Sequence, residues 1–145
     1  MGLDDIAGLA AANALSVTDS SSGTLTVRLE DGTGAADLTG VAADEINLST
    51  SNNAAVTYAS GANVVVSNDQ TAGSFDGTDA GAASNTLSLT MNDGVATGGA
   101  TTVLNGVTFT DFASVTIDGS VDDSGTTLTA LTASADNTDI TINAG

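Results

Sequence analysis

The chain has 145 residues with one cation, Arg28, against eighteen Asp and Glu, giving a net charge of −17, and it contains no Cys, His, Pro or Trp. Without Cys or His there is no disulfide scaffold, thiol nucleophile or zinc constellation, and the charge repels nucleic acid and anionic membrane alike. Ala, Gly, Ser and Thr dominate, so few large apolar side chains are left to build one narrow core.

Taken in chain order, residues 3–14 allow a short helix, with Asp4 and Asp5 at its N-terminal dipole and Leu3, Ile6 and Ala10 on one side. From there onward a period of two prevails. Leu25, Val27 and Leu29 alternate with Thr24, Thr26, Arg28 and Glu30. Shorter alternations follow at Ile46 and Leu48 and at Val56 and Tyr58. Leu87, Leu89 and Met91 form the next long one, and Val107 with Phe109, Val115 with Ile117, and Ile140 with Ile142 close the series. Clusters of Gly, Asn, Asp and Ser separate them, which is the pattern of short strands with one buried face. Phe75, in the Gly- and Asp-rich segment 69–85, stands outside this pattern and reads as free.

The chain also repeats itself. The segment Thr24 to Leu29 returns as Thr86 to Met91, each followed by an Asp-Gly turn, then by Leu38-Thr39-Gly40-Val41 against Leu104-Asn105-Gly106-Val107. Residues 1–22 read as the tail of a preceding repeat, 23–68 as the first full repeat, 69–85 as an insertion and 86–145 as the second full repeat. Short strands with one apolar face cannot bury that face alone and must stack on their neighbours. The expected fold is an all-β solenoid, like a β-helix, of two to three imperfect repeats; a β-sandwich is the alternative. Neither terminus carries Lys or Pro to block a strand edge, so the expectation is a chain belonging to a longer array or assembly.

The repeat, with its "LTGV…DEINLST" and "FTDFASVTIDG" elements and the closing "LTALTASADNTDITINAG", resembles the β-helical repeats of calcium-dependent bacterial surface-layer proteins and related RTX-type secreted adhesins. That resemblance implies an exported, calcium-binding protein of the cell surface that crystallises there or mediates adhesion. The RTX nonapeptide itself is absent: Gly98-Gly99 is followed by Ala100-Thr101-Thr102, with no Asp in the required place, so the family's calcium-roll positions carry over to no residue.

Calcium takes six to eight oxygen ligands, and Asp on Gly-containing turns supplies them. The densest such turn holds Asp118, Asp122 and Asp123; Asp76 with Asp79, and Asp136 with Asp139, come next. None follows the EF-hand pattern, and Asp-Gly is in any case good turn chemistry. Catalysis is not expected: a Ser nucleophile has no His or Lys base, and adjacent carboxylates such as Asp44 and Glu45 point to opposite faces of a strand. The reading is a non-enzymatic extracellular structural protein, a self-assembling surface-layer or filament module stabilised by calcium. Its expected partners are copies of itself or neighbouring repeats, with cell-surface polysaccharide as a further one, and neither nucleic acid nor membrane insertion. The alternative is an adhesin module binding a separate partner through the 69–85 insertion.

Overall fold

The computed structural model describes residues 2–3, 16–18, 20, 22–29, 35–49, 55–78, 84–94, 99–120, 125–134 and 138–143. Every regular element among them is a β-strand. In chain order these are β1 (Gly2–Leu3), β2 (Ser16–Thr18), β3 (Thr26–Leu29), β4 (Ala36–Leu38), β5 (Gly40–Ala42), β6 (Glu45–Leu48), β7 (Ala55–Tyr58), β8 (Ala62–Val66) and β9 (Gln70–Thr71). They continue as β10 (Ser74–Asp76), β11 (Thr86–Met91), β12 (Thr102–Asn105), β13 (Thr108–Thr110), β14 (Ser114–Asp118), β15 (Thr126–Thr129), β16 (Thr132–Ser134) and β17 (Asp139–Asn143). Of the expected N-terminal helix, Leu3 lies in β1, and residues 4–14 are outside the described residues.

The strands form a seven-stranded sheet in the order β1-β3-β6-β8-β11-β14-β17, a five-stranded sheet β16-β13-β10-β7-β4, a three-stranded sheet β15-β12-β9 and the pair β2-β5. All ladders among the described residues are parallel. Parallel neighbours cannot be joined by a hairpin and require a crossover. From β3 onward the crossover runs through the five-stranded sheet: the chain visits β4, β7, β10, β13 or β16 before each return to its seven-stranded neighbour.

Register places like on like. In the seven-stranded sheet one inward column runs Val27, Ile46, Val64, Leu89, Ile117, Ile142, and a second runs Leu29, Leu48, Val66, Met91. In the five-stranded sheet the column is Ala36, Val56, Phe75, Phe109, Ala133. Because the side-chain period of a strand is two, the interleaved Thr, Asn and Asp residues face outward. The inward sets meet in one core with Tyr58, Phe109, Leu29, Leu48, Leu89, Met91 and Ile117 fully enclosed. Tyr58 stacks on Phe75 at 5.7 Å between ring centroids, and Phe75 meets Phe109 at 5.5 Å.

Three positions differ from the sequence expectation. Leu25, expected on the buried face with Val27 and Leu29, precedes β3 and is only half-buried. Phe75 is not free: it is 4 % exposed, because β10 is a three-residue strand paired on both sides, with β7 and β13. Ile142 has the inward period but is 53 % exposed, and Ile140 is only partly covered, since β17 is an edge strand with a neighbour on one side. The polar side chains of Gln70, Asn85 and Thr102 are buried among the core residues. Asn85 serves as a backbone connector: its carbonyl accepts from the Ala113 N–H at 2.8 Å, and its Nδ2 donates to the Asp111 carbonyl at 3.2 Å.

Candidate metal centre

Asp118 ends β14, half-buried, between Thr90 of β11 and Asn143 of β17. The next residues turn the chain, and the Ser120 N–H donates to Asp118 Oδ1 at 2.9 Å, an Asx-type turn. Hydrogen bonds from the Ser120 hydroxyl and backbone N–H favour the ionised form and hold the Asp118 carboxyl below the ordinary carboxylate range. Gly119 is required here, because a Cβ would lie 2.9 Å from Thr126 Oγ1. Asp122 and Asp123 lie outside the described residues.

Asp76 sits at the end of β10 on the outward face, between Thr57 and Thr110, and accepts a hydrogen bond from the Ser74 hydroxyl. Asp79 lies outside the described residues. Asp139 opens β17, exposed, opposite Ser114, with its N–H donating to the Ala113 carbonyl at 3.0 Å; Asp136 lies outside the described residues. Since Asp139 is level with Ser114 and Asp118 is four residues further along β14, the two carboxylates stand about 13 Å apart along the strand direction. Asp76 belongs to a different sheet. Among the described residues, therefore, no three acidic side chains gather into a metal-holding group. The described carboxylates do not fit a calcium shell by themselves, and a site at this turn would have to draw on Asp122 and Asp123.

The aromatic side chains bear on ligand chemistry of another kind. Tyr58, Phe75, Phe109 and Phe112 are all the aromatic residues of the chain, and all are buried, so none offers a platform for a sugar ring. The Tyr58 hydroxyl is enclosed and makes no hydrogen bond; burial, helped by the charge of Asp76, pushes its pKa far upward and keeps it a neutral phenol. On the outer face of the seven-stranded sheet a groove of about 320 Å³ holds Arg28 with Glu45, Asn47, Ser67, Asn92 and Asp93. Among the described residues there is no helix long and apolar enough to cross a membrane. Sequence reasoning overlooked the buried Gln70 and Asn85, whose signal was a lone amide inside a Gly- and Asp-rich stretch. Comparison with protein-family models, with curated proteins and with solved structures finds no match.

Proposed function

We infer that the chain is a β-solenoid module of a non-enzymatic extracellular structural protein, one that assembles with copies of itself or with neighbouring repeats and is stabilised by calcium. The observation that carries this reading is the repeated parallel register, in which six strands stack one inward column from Val27 to Ile142. A sandwich built from hairpins calls for antiparallel ladders, and the described residues have parallel ones. A fold that adds identical layers along one direction has terminal layers that can receive more of the same, which favours a structural role over a catalytic one. The resemblance of the repeats to surface-layer proteins and RTX-type adhesins supplies the cell-surface setting. For the adhesin alternative, the one aromatic residue of 69–85, Phe75, is engaged in the core.

Calcium enters through charge. A net charge of −17 opposes both compaction and the approach of like chains, with a screening length of about 8 Å in physiological salt. A divalent ion that binds the folded chain adds about 2.7 kcal/mol at a hundredfold excess over its Kd, whereas sodium only screens. The test compares thermal melts and light scattering in millimolar calcium and in sodium chloride of equal ionic strength. A higher Tm and stronger scattering in calcium are expected. Equal effects would remove calcium from the reading, and single-chain mass under both conditions would remove self-assembly.

A further inference from the structure

The groove on the outer face of the seven-stranded sheet holds the one Arg of a chain that has neither Lys nor His. Its floor crosses β3, β6, β8 and the end of β11. Arg28, Asn47 and Val65 stand level on three successive strands, with Ser67, Asn92 and Asp93 beyond them and Glu45 one diagonal step from Arg28. Arg28 is exposed, and Asn47 and Asn92 are half-buried. The protein itself orients both amides. The Ser67 hydroxyl donates to Asn47 Oδ1 at 2.9 Å, and the Gly94 N–H donates to Asn92 Oδ1 at 2.8 Å. Each acceptor atom is thereby engaged, and each Nδ2, with its two hydrogens, is left for the groove. The Arg28 guanidinium adds a planar fork of donors that suits an oxyanion.

We propose that this groove binds an acidic sugar chain. The oxyanion of one sugar unit, a carboxylate or a sulfate, sits on Arg28 and Asn47, and the hydroxyls of the following units run toward Asn92 and Asp93. Charge places the anion. Arg28 and Asp93 are three strands apart, about 14 Å, which exceeds the screening length of about 8 Å in physiological salt, so an anion on Arg28 scarcely feels Asp93. Glu45 and Asp93 are acceptors and take hydroxyl hydrogens, which a sugar supplies along its whole length.

Other ligands suit the groove less. Val65 is the one apolar side chain among its charged and polar ones, so an apolar molecule gains little there. Extended peptides are recognised along a free sheet edge, and β3, β6, β8 and β11 are each paired on both sides. The strand spacing of about 4.8 Å is close to the length of one pyranose unit, so successive rings fall over successive strands. With the aromatic residues buried, the grip is charge and hydrogen bonding without ring stacking. The site lies within one chain and requires neither calcium nor assembly, so it stands apart from the self-assembly reading.

The test is calorimetric titration of the 145-residue chain with three probes, in physiological salt with a chelator to remove calcium bridges. The probes are trigalacturonate, a sulfated galactose trimer and fully methyl-esterified trigalacturonate. Binding of at least one anionic trimer and none of the ester is expected, and the stronger of the two names the oxyanion. Arg28→Gln is expected to weaken that binding about tenfold or more, the loss of a charged hydrogen bond. Asn92→Asp keeps an acceptor for the Gly94 N–H, replaces the donor by a carboxylate, and is expected to weaken binding too. Both variants are expected to keep the circular dichroism spectrum and Tm of the parent. On the unmodified chain, NMR signals of the Arg28 guanidinium and of the Asn47 and Asn92 side-chain amides are expected to shift on titration. Equal binding of the ester, unchanged affinity in Arg28→Gln, shifts confined to other residues, or no binding of either anionic trimer would overturn the proposal.

Discussion

Ile117 and Ile142 are the same residue, in the same inward column, directly paired across β14 and β17, and they differ in exposure: 0 % against 53 %. Truncating each to Ala isolates what burial contributes. At Ile117 the change removes buried methyl and methylene groups and leaves a void between Leu89 and Ile142, for which a loss of about 2–5 kcal/mol is usual. At Ile142 roughly half of the transfer term is absent, and the space left is open to solvent, so a loss of about 1 kcal/mol or less is expected. Against a typical domain stability of about 5–15 kcal/mol, Ile117→Ala lowers the urea midpoint severely while Ile142→Ala barely moves it. The measurement is urea unfolding followed by circular dichroism, at protein concentrations low enough for any assembly to dissociate. Equal losses at the two positions would refute the argument, because they would mean that the column is not closed at β14 and open at β17.

Two smaller changes probe particular groups. Tyr58→Phe removes a hydroxyl that is enclosed without a hydrogen bond, at the cost of no packing; it is expected to be neutral or to stabilise by about 1 kcal/mol, and a fall in Tm would reveal a partner for the hydroxyl. Ser120→Ala removes the side-chain donor to Asp118, leaves the backbone N–H, and should return the carboxyl part of the way to its ordinary value, read by carbon NMR through a pH titration. The sign for stability follows from the lowered pKa in the folded chain. The contribution of Asp118 is complete above the unfolded-state value and is lost as pH falls through the folded-state one, so the variant should be less stable than the parent at neutral pH, with the difference shrinking to nothing once pH falls below both values.

The long alternations from Leu25 to Leu29 and from Leu87 to Met91 were legible because three apolar residues at period two leave a strand little choice of face, and Val27, Leu29, Leu87, Leu89 and Met91 are all buried. Phe75 was not legible. A three-residue strand contributes a single inward side chain, so it has no period to read, and its surroundings of Gly and Asp carry the signature of a loop. Ile142 failed for a different reason: alternation names the face of a strand, while burial also needs a neighbour on each side, and that depends on sheet order. The Asp118 turn was legible as a turn, since Asp-Gly-Ser supplies both the accepting carboxylate and the small residue that Thr126 requires. Whether carboxylates converge is a matter of register, and register between strands far apart in the chain is not written in local spacing. Asp118 and Asp139 are close in composition terms yet stand at opposite ends of adjacent strands.

The inward column has one further consequence, for how such a chain can change. The connection from Ile46 to Val64 is short and that from Leu89 to Ile117 is considerably longer, yet both steps land on the same column with the same one-to-one pairing. Register is therefore decoupled from loop length: the ladder counts strands, not residues. Loop closure adds only about 0.6 kcal/mol for each doubling of length, so extra sequence in the connections costs little so long as the strands it joins are kept. A foreign peptide grafted beside the exposed Ser120 or Gly125 would be carried outward at a fixed height along the stack, and the same tolerance lets natural variants acquire new surface features without redesigning the core.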